Sequence, residues 1–437
     1  MSKKIFLMLS ILIFTSIFVS ANADVNEDGM VDIDDLVAVA GDFGKTSGFN
    51  PLADTDNNSV VDIFDVVYVA SRFGTVEPPP PTPNGNLVYA DSLSPSDIQA
   101  AVDSASSGDT VILPEGDYSG FDSTVYVPNG ISMKGQGVDR TILRRTANTG
   151  IMFRWNYNNP TPSSYKVEIS DFKLVGFGYG ITTHHSGIWL YNGMKDFIIH
   201  DLHFENFSSI GIDVTGDSRG VIYNSVFKNI VPDDLSYTGY GVSVIGDEAW
   251  DDPKPALGTQ DMVFIEDNHF INCKHAVATS AGSNHVFRYN TVEGWAVSRH
   301  LVDAHGKLDP WLVGSNTWEV YKNTLKCTGR DDLTDWGITH RGGSGVIWGN
   351  TITGCDPKTG PGTQSKAIAF TIDEHETYPD PYQIKDTYLW DNTNDGQPLT
   401  EVYITAKALD YVKEDREYFL YQKPGYTPYT YPHPLRG

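Results

Sequence analysis

One short string limits what this chain can fold into more than any other: an apolar residue, two free positions, an asparagine, one free position and a second apolar residue. It occurs at Val221, Asn224 and Val226, at Ile265, Asn268 and Phe270, at Phe287, Asn290 and Val292, at Val320, Asn323 and Leu325, and at Ile347, Asn350 and Ile352. Leu389, Asn392 and Asn394 form a degraded sixth copy. The asparagines stand 44, 22, 33, 27 and 42 residues apart. A constant motif at variable spacing predicts stacked coils with fixed rungs and variable loops, the smallest coil being about 22 residues. An amide side chain at a tight bend can bond the amide of the next coil, and a column of them makes a ladder. One coil cannot bury its apolar face alone, so its neighbours supply the core. A β-sandwich with coincidental asparagine turns is the alternative; irregular spacing around a constant motif favours the solenoid.

The composition agrees. With 437 residues the expectation is two or three domains, and 41 glycines, 23 tyrosines and 20% charged residues suit a loop-rich β protein better than a helical bundle. A 40% hydrophobic content excludes a wholly disordered chain. Against 31 lysines and arginines stand 56 acids, a net charge of −25 that repels nucleic acid unless a local basic patch exists.

Lys3 and Lys4 precede an apolar run from Ile5 to Ser20 and the small-x-small sequence Ala21, Asn22, Ala23. These are the parts of a secretory signal over residues 1–23, and the run is short for a membrane span. Its removal takes away two lysines and no acid, so the charge becomes −27. The expected location is secreted or cell-surface, with no membrane span afterwards. Three cysteines, Cys273, Cys327 and Cys355, do not make a disulfide scaffold. They sit near the ends of similar repeats, which favours burial in the stack, with one bridge open as an option.

Residues 24–74 carry eleven acids against Lys45 and Arg72. Oxygen-bearing side chains fall at loop positions 1, 3, 5, 9 and 12 as Asp24, Asn26, Asp28, Asp32 and Asp35, with Gly29 at the sharp turn and the carbonyl of Met30 at position 7. Asp54, Asp56, Asn58, Val60 and Asp65 repeat the pattern thirty residues later, with Ser59 in place of the glycine. Six or seven oxygens must converge on a calcium ion, and only a tightly wound loop brings alternating residues to one point. Two such loops, each followed by a single helix, resemble a dockerin module. The resemblance implies two calcium ions and docking to a cohesin domain of another protein. Ile33 with Asp34, and Ile63 with Phe64, occupy the recognition positions. They are not the Ser-Thr pair of the best-known dockerins, and the module stands at the less usual, N-terminal end.

A proline cluster over residues 75–85 reads as a semi-rigid spacer. After it, Ser94 and Pro95 start a helix whose apolar stripe is Ile98, Ala101, Val102 and Ala105. Short irregular strands follow. This beginning and the asparagine repeat resemble the right-handed parallel β-helix proteins of the pectate-lyase-like superfamily, over roughly residues 86–395. The fold class expected is mainly β: a right-handed parallel β-helix with a small α-helical calcium-loop module before it. Residues 396–437, rich in Tyr and Pro, read as a tail packed outside the coils.

Half of the twelve histidines, together with Arg288, Arg299, Arg330 and Arg341, fall in residues 269–341, a basic enclave in an acidic chain. If the residue three before each ladder asparagine faces inward, the next faces out. That outward column is Ile222, Glu266, Arg288, Tyr321, Trp348 and Trp390. Charges beside stacked rings suit a sugar chain, so Tyr321, Trp348 and Glu266 are expected to bind substrate. The alternative is that the tail covers the column. A second alignment places His275, Asp303, His305 and Arg341 on neighbouring rungs. With Val302 and Ala304 inward, Asp303 and His305 point out together and Arg341 lies one coil on. A polyuronate lyase needs a cation to neutralise the carboxylate and a base to take the C5 proton. Arg288, Arg341 or a further calcium ion in the groove, held by Glu266 and Asp267, could serve as the first. His305, oriented by Asp303, could serve as the second. His275 belongs to the same catalytic set, with a satisfied structural histidine as its plainer reading. The motifs of pectin-hydrolysing polygalacturonases, of alginate epimerases and of the well-studied pectate lyases are not found. The expectation is a secreted polysaccharide lyase tethered through its dockerin. The alternatives are a non-catalytic glycan-binding or structural protein and a glycoside hydrolase.

Overall fold

The computed structural model describes residues 23, 25, 31, 33–46, 53–55, 60–73, 85–157, 165–178, 185–232, 238–248, 255–294, 300–307, 313–327, 336–355, 366–373 and 378–436. The secretory segment to residue 22, linker residues 75–84, loop residues Asp24, Asn26, Asp28, Met30, Asp32, Asp56 and Asn58, and Arg299 and Arg330 lie outside the described residues. The chain divides into two units, residues 1–83 with 437, and residues 84–436.

In the first unit, helices α1 (Ile33–Asp42) and α2 (Ile63–Ser71) start at equivalent points of the two acidic repeats. Val31, Val39, Val61 and Val69 form their shared core. The loops close by the same bond. Asp35 Oδ1 accepts from the Val25 amide and Asp65 Oδ1 from the Thr55 amide, each at 2.7 Å. Both carboxylates are buried. Asp62 caps α2 by accepting from Phe64 N–H, and Asp65 Oδ2 accepts from Asp62 N–H, which completes a capping box.

The second unit is a parallel β-helix with three strands per coil and three faces. One coil is Val263–Glu266, His269–Cys273 and His275–Ser280; the next is Asn284–Arg288, Thr291–Glu293 and His300–Ala304. Corresponding strands of successive coils pair in parallel. At the corner between the first and second faces stands the predicted ladder. The amides of Asn268, Asn290, Asn323 and Asn350 donate to the Oδ1 of Asn290, Asn323, Asn350 and Asn392 at 2.9–3.1 Å. Each side-chain amide also donates back to a carbonyl of the preceding coil. The residue before each ladder position takes left-handed backbone, as at Asp267, Tyr289, Lys322 and Asp391, and this turns the corner.

The register of the first copy differs from the sequence expectation. Ser225, not Asn224, donates its amide to Asn268 Oδ1, and Asn224 is the left-handed corner residue. The outward column therefore begins with Tyr223, which pairs with Glu266, while Ile222 is in the core.

Inside, Phe204, Phe227 and Phe270 stack at 4.9 and 4.8 Å between ring centres, matching the spacing of parallel strands. The open first coil is closed by α3 (Pro95–Ser104), whose Ser94 cap accepts from Asp97 N–H. Ile98, Ala101 and Val102 seal the core end. Gln99 accepts from Tyr126 N–H and donates to Tyr126 C=O, so a side-chain amide takes the place of a missing strand at the edge. The winding outlasts the expected boundary at residue 395. Tyr403–Ile404 extends the third face and Tyr418–Phe419 the first. A disulfide joins Cys327 to Cys355 of the next coil, and Cys273 is buried with its Sγ 3.6 Å from the Phe227 carbonyl. Among the described residues no helix is long and apolar enough to cross a membrane.

Candidate functional site

The two outer columns read from sequence are both present, and they differ in what covers them. On the first face Tyr223, Glu266, Arg288, Tyr321, Trp348 and Trp390 pair coil by coil. Arg288 bonds Glu266 at 2.6 Å, and both are fully buried. The reason is the tail. Arg288 Nη1 donates to the Tyr429 carbonyl and Nη2 to the Thr430 carbonyl, each at 2.8 Å. Glu266 Oε1 accepts from His433 N–H and from Arg436. Tyr431 donates to Asp267 at 2.8 Å. Tyr429 and Leu435 pack on an apolar cluster of Val221, Phe264, Val286 and Tyr321. Arg288 is thus not placed to meet a substrate, nor are Glu266 and Tyr321. Glu266 and Asp267 are taken by the tail rather than left for calcium. Trp348, half-buried, is stacked between Tyr321 at 4.7 Å and Trp390 at 5.6 Å. A cavity of about 300 Å³ opens on this covered side between Thr317, Ser344, Lys423 and Tyr426. Its lysine is paired with Asp386, so the chemistry is sought elsewhere.

On the third face the expected residues do meet. Ala278, Asp303 and Thr339 are in register on successive coils, and small neighbours leave room around Asp303. His305 Nε2 lies 3.2 Å from Asp303 Oδ2. Arg341 grips Asp303 with two nitrogens, Nε at 3.2 Å from Oδ1 and Nη2 on Oδ2. Its Nη1 donates to Asp373 Oδ1 at 2.9 Å, and Asp373 Oδ2 accepts from Gly306 N–H. His275 Nε2 stands 3.7 Å from Asp303 Oδ2, and His300 Nδ1 stands 3.6 Å from Oδ1. Asp303 is 0% exposed, whereas the His305 side chain is 17% exposed at the wall.

The charge states follow from this packing. Burial pushes the Asp303 carboxyl up, but Arg341, His305 and His300 together hold it well below the usual carboxylate range. Burial works against Arg341, yet Asp303 and Asp373 raise its value. Burial drives His275 well below its usual value, and it lowers His300 against the pull of Asp303. At neutral pH the centre holds ionised Asp303 and Arg341 beside neutral His275 and His300. Arg341 has its donors on two carboxylates, so it positions Asp303 and His305 and is not the uronate clamp expected from sequence. Tyr240, Asp373 and His300 were not singled out as site residues. Tyr240 is in register with His275, with ring centres 5.2 Å apart and 6.5 Å to His305. Burial raises its phenol value, so it keeps its proton. Its register with His275 was the signal available, but the strand alignment began one coil too late.

The histidines of the basic enclave do not share one surface. His285 and His340 are buried inside the coil, where burial drives His285 down to about 3 and His340 well down, and His340 stacks on Trp318 at 4.0 Å. His269 pairs with Glu293 on the second face.

The third face carries one more feature. Toward the helical cap its outward column continues through Ser243, Asp213, Trp189, Arg154 and Tyr126. Arg154 sits among Tyr157, Trp189, Tyr191 and Tyr126 at 4.6–6.0 Å from their ring centres. Tyr126 and Tyr157 are 37% and 41% exposed. Four coil steps of about 4.8 Å, roughly 19 Å, separate Trp189 from Asp303 along the wall.

Residues 129–325 match the family model described as the right handed beta helix region, in agreement with the winding. No curated protein matches the sequence. Among solved structures the chain is similar to an alginate lyase from Paenibacillus sp. str. FPU-7, at 13% identity over 74% of this chain and 99% of that one, with a TM-score of 0.42. It is also similar to a Family 28 exopolygalacturonase of Yersinia enterocolitica, at 11% identity over 74% and 77% of the two chains, TM-score 0.39. A third is the A-module of the mannuronan C-5 epimerase AlgE4 of Azotobacter vinelandii, at 16% identity over 74% and 96%, TM-score 0.30. At these identities and scores the likeness carries no argument about chemistry, which has to come from the site itself.

Proposed function

We propose that this protein acts on a uronate-containing polysaccharide by β-elimination, on the third face of its β-helix. The carrying observation is the ionised, fully buried Asp303 placed 3.2 Å from His305 at the wall. Asp303 accepts the Nε2 proton of His305, which leaves Nδ1 as the basic nitrogen. Nδ1 has no hydrogen-bond partner and is screened from water. In the reaction Nδ1 takes the C5 proton, the C4–C5 double bond forms, and the C4–O4 bond breaks. Tyr240, whose phenol keeps its proton, returns one to the leaving oxygen. A hydrolase would instead need a carboxylic acid that stays protonated near neutrality close to a second carboxylate; Asp303 is held ionised, and Asp213, raised to about 7, stands three coil steps, roughly 14 Å, along the wall. The ring-lined stretch from Tyr126 to Tyr191 supports an extended glycan lying along the wall.

The test is incubation with a panel of polyuronates, read as a rise in ultraviolet absorbance from unsaturated ends. Loss of that rise in His305→Gln and Tyr240→Phe supports the reading. The screening of Nδ1 favours a second reading, glycan binding without turnover. Retained binding with no product from any polyuronate selects it.

The first unit is proposed to hold two calcium ions and to dock the protein, secreted or at the cell surface, to a cohesin. The buried Asp35 and Asp65 support the ions, since a buried carboxylate calls for a compensating charge. The exposed apolar residues Ile33, Val37 and Phe43 recur thirty residues later as Ile63, Val67 and Phe73, and Phe64 is 69% exposed, which supports docking. Calcium-dependent capture by cohesins, abolished in Asp24→Ala with Asp54→Ala, tests both.

A further inference from the structure

We propose that His275, His300 and Asp303 form a binding site for a divalent transition cation of the zinc class. Their donor atoms, one from each residue, all lie within 4.8 Å of one another. The 3.7 and 3.6 Å separations from the two imidazole nitrogens to the carboxylate are too long for hydrogen bonds. The 3.6 Å from His300 Nδ1 to Asp303 Oδ1 is close to the edge of a tetrahedron with bonds of about 2.1 Å, which is about 3.4 Å, and His275 Nε2 stands 3.7 Å from the other carboxylate oxygen.

The bonding around the three residues singles out a cation. His275 Nδ1–H donates to the His300 carbonyl at 2.5 Å. In the neutral ring this fixes a lone pair on Nε2, facing the Asp303 carboxylate. Two lone pairs facing each other repel unless a cation stands between them. The backbone bond on the far nitrogen is also the usual support behind a metal-bound imidazole. His300 Nδ1 is buried without a hydrogen-bond partner. Asp303 Oδ1 accepts one hydrogen bond, from Arg341 Nε, which leaves it a second lone pair. Asp303 and Asp373 against Arg341 leave one negative charge in the centre.

The donor set selects the metal. Two imidazoles and one carboxylate suit zinc, cobalt or nickel, whereas calcium and magnesium call for six or more oxygens. Three protein ligands leave an open position for water or a substrate oxygen. Where the β-elimination reading holds, the ion supplies the positive charge that a uronate carboxylate needs, since Arg341 is occupied and Arg288 is covered. That consequence rests on the proposed function; the binding of the ion does not.

The experiment uses untagged full-length protein stripped with chelator and returned to excess calcium, so that the acidic loops do not compete. Cobalt(II) is then titrated in and followed by its visible d–d absorption, with zinc displacement and elemental analysis as the count. One equivalent is expected, with affinity about 100-fold or more weaker in His300→Gln and His275→Gln and unchanged in His269→Ala. Circular dichroism confirms that each variant is folded. Cobalt binding that is absent from the wild type, or equal in all variants, overturns the site. Stoichiometric binding with polyuronate cleavage indifferent to chelator keeps the site and removes its role in cleavage. Polyuronate cleavage by a wild type that takes up no cobalt overturns the site and leaves the lyase reading standing.

Discussion

The first and third faces of the β-helix each bury an arginine against a carboxylate on neighbouring coils, Arg288 with Glu266 and Arg341 with Asp303. The pairs are chemically alike and their surroundings are not. Around Arg288 and Glu266 the partners come from the tail: two carbonyls, an amide and the Arg436 guanidinium. Around Asp303 stand three imidazoles, two of which face it without a hydrogen bond. A buried ion pair with every donor matched is a structural clamp. One ringed by unmatched nitrogens is poised to take up a proton, an ion or a substrate.

The contrast can be broken by mutation. The largest effect is expected at His305. His305→Gln should lower kcat on a polyuronate about 10²–10⁴-fold while costing at most about 1–3 kcal/mol of unfolding free energy, through its hydrogen bond to the buried Asp303. A loss of stability with unchanged turnover per folded molecule would make the third face structural as well. Arg288→Ala is the mirror experiment. It leaves the buried Glu266 with Arg436 as its charged partner and two tail carbonyls without their donor, and should cost about 3–5 kcal/mol in a denaturant titration, with turnover of the folded fraction unchanged.

Asp213 sharpens the comparison through pH. Burial raises its carboxyl from 3.8 to about 7, against a bond from Ser243 that lowers it. The folded chain holds this proton where the unfolded chain has released it, so its contribution to stability falls as pH rises from 3.8 toward 7. Asp213→Asn should therefore be more stable than the wild type at pH 8, by about 2 kcal/mol and at most about 4, and indistinguishable near pH 4. A difference of the same size at both pH values would mean that the asparagine acts by packing. The smallest effect is expected at the distal rings. Tyr126→Ala with Tyr157→Ala should weaken retention of a long polyuronate by about 1 kcal/mol, roughly fivefold, and leave cleavage of short oligomers alone. An equal loss on both substrates would remove the rings from the glycan path.

The solenoid was legible because its ladder is a local chemical demand repeated in every coil: an amide that can donate and accept at one corner. The register slipped only at Asn224, where an asparagine occupies the left-handed corner that aspartate, tyrosine or lysine fills elsewhere. The third-face cluster was legible for a similar reason. Asp303 and His305 share one strand end, and the next coil delivers Arg341 in step. Asp373 arrives from the coil beyond, where no motif marks the register. The cover over the first face was present as composition, and it stood in the sequence as the alternative to an open column. Val263, Phe264 and Ile265, then Val286 and Phe287, are apolar on both sides of their strands, the pattern of a strand buried twice. What could not be read locally is which tail residue meets which rung, since Arg288 meets Tyr429 across 141 residues of chain.

That long reach sets an order of events. Neighbouring coils find each other across a few dozen residues, but Glu266 waits for Arg436, 170 positions downstream. A chain emerging amino end first winds its rungs while the Glu266 and Arg288 charges still lie bare. The clasp shuts only when residues 429–436 arrive. A chain interrupted before Tyr429 would yield a wound body with an unshielded flank.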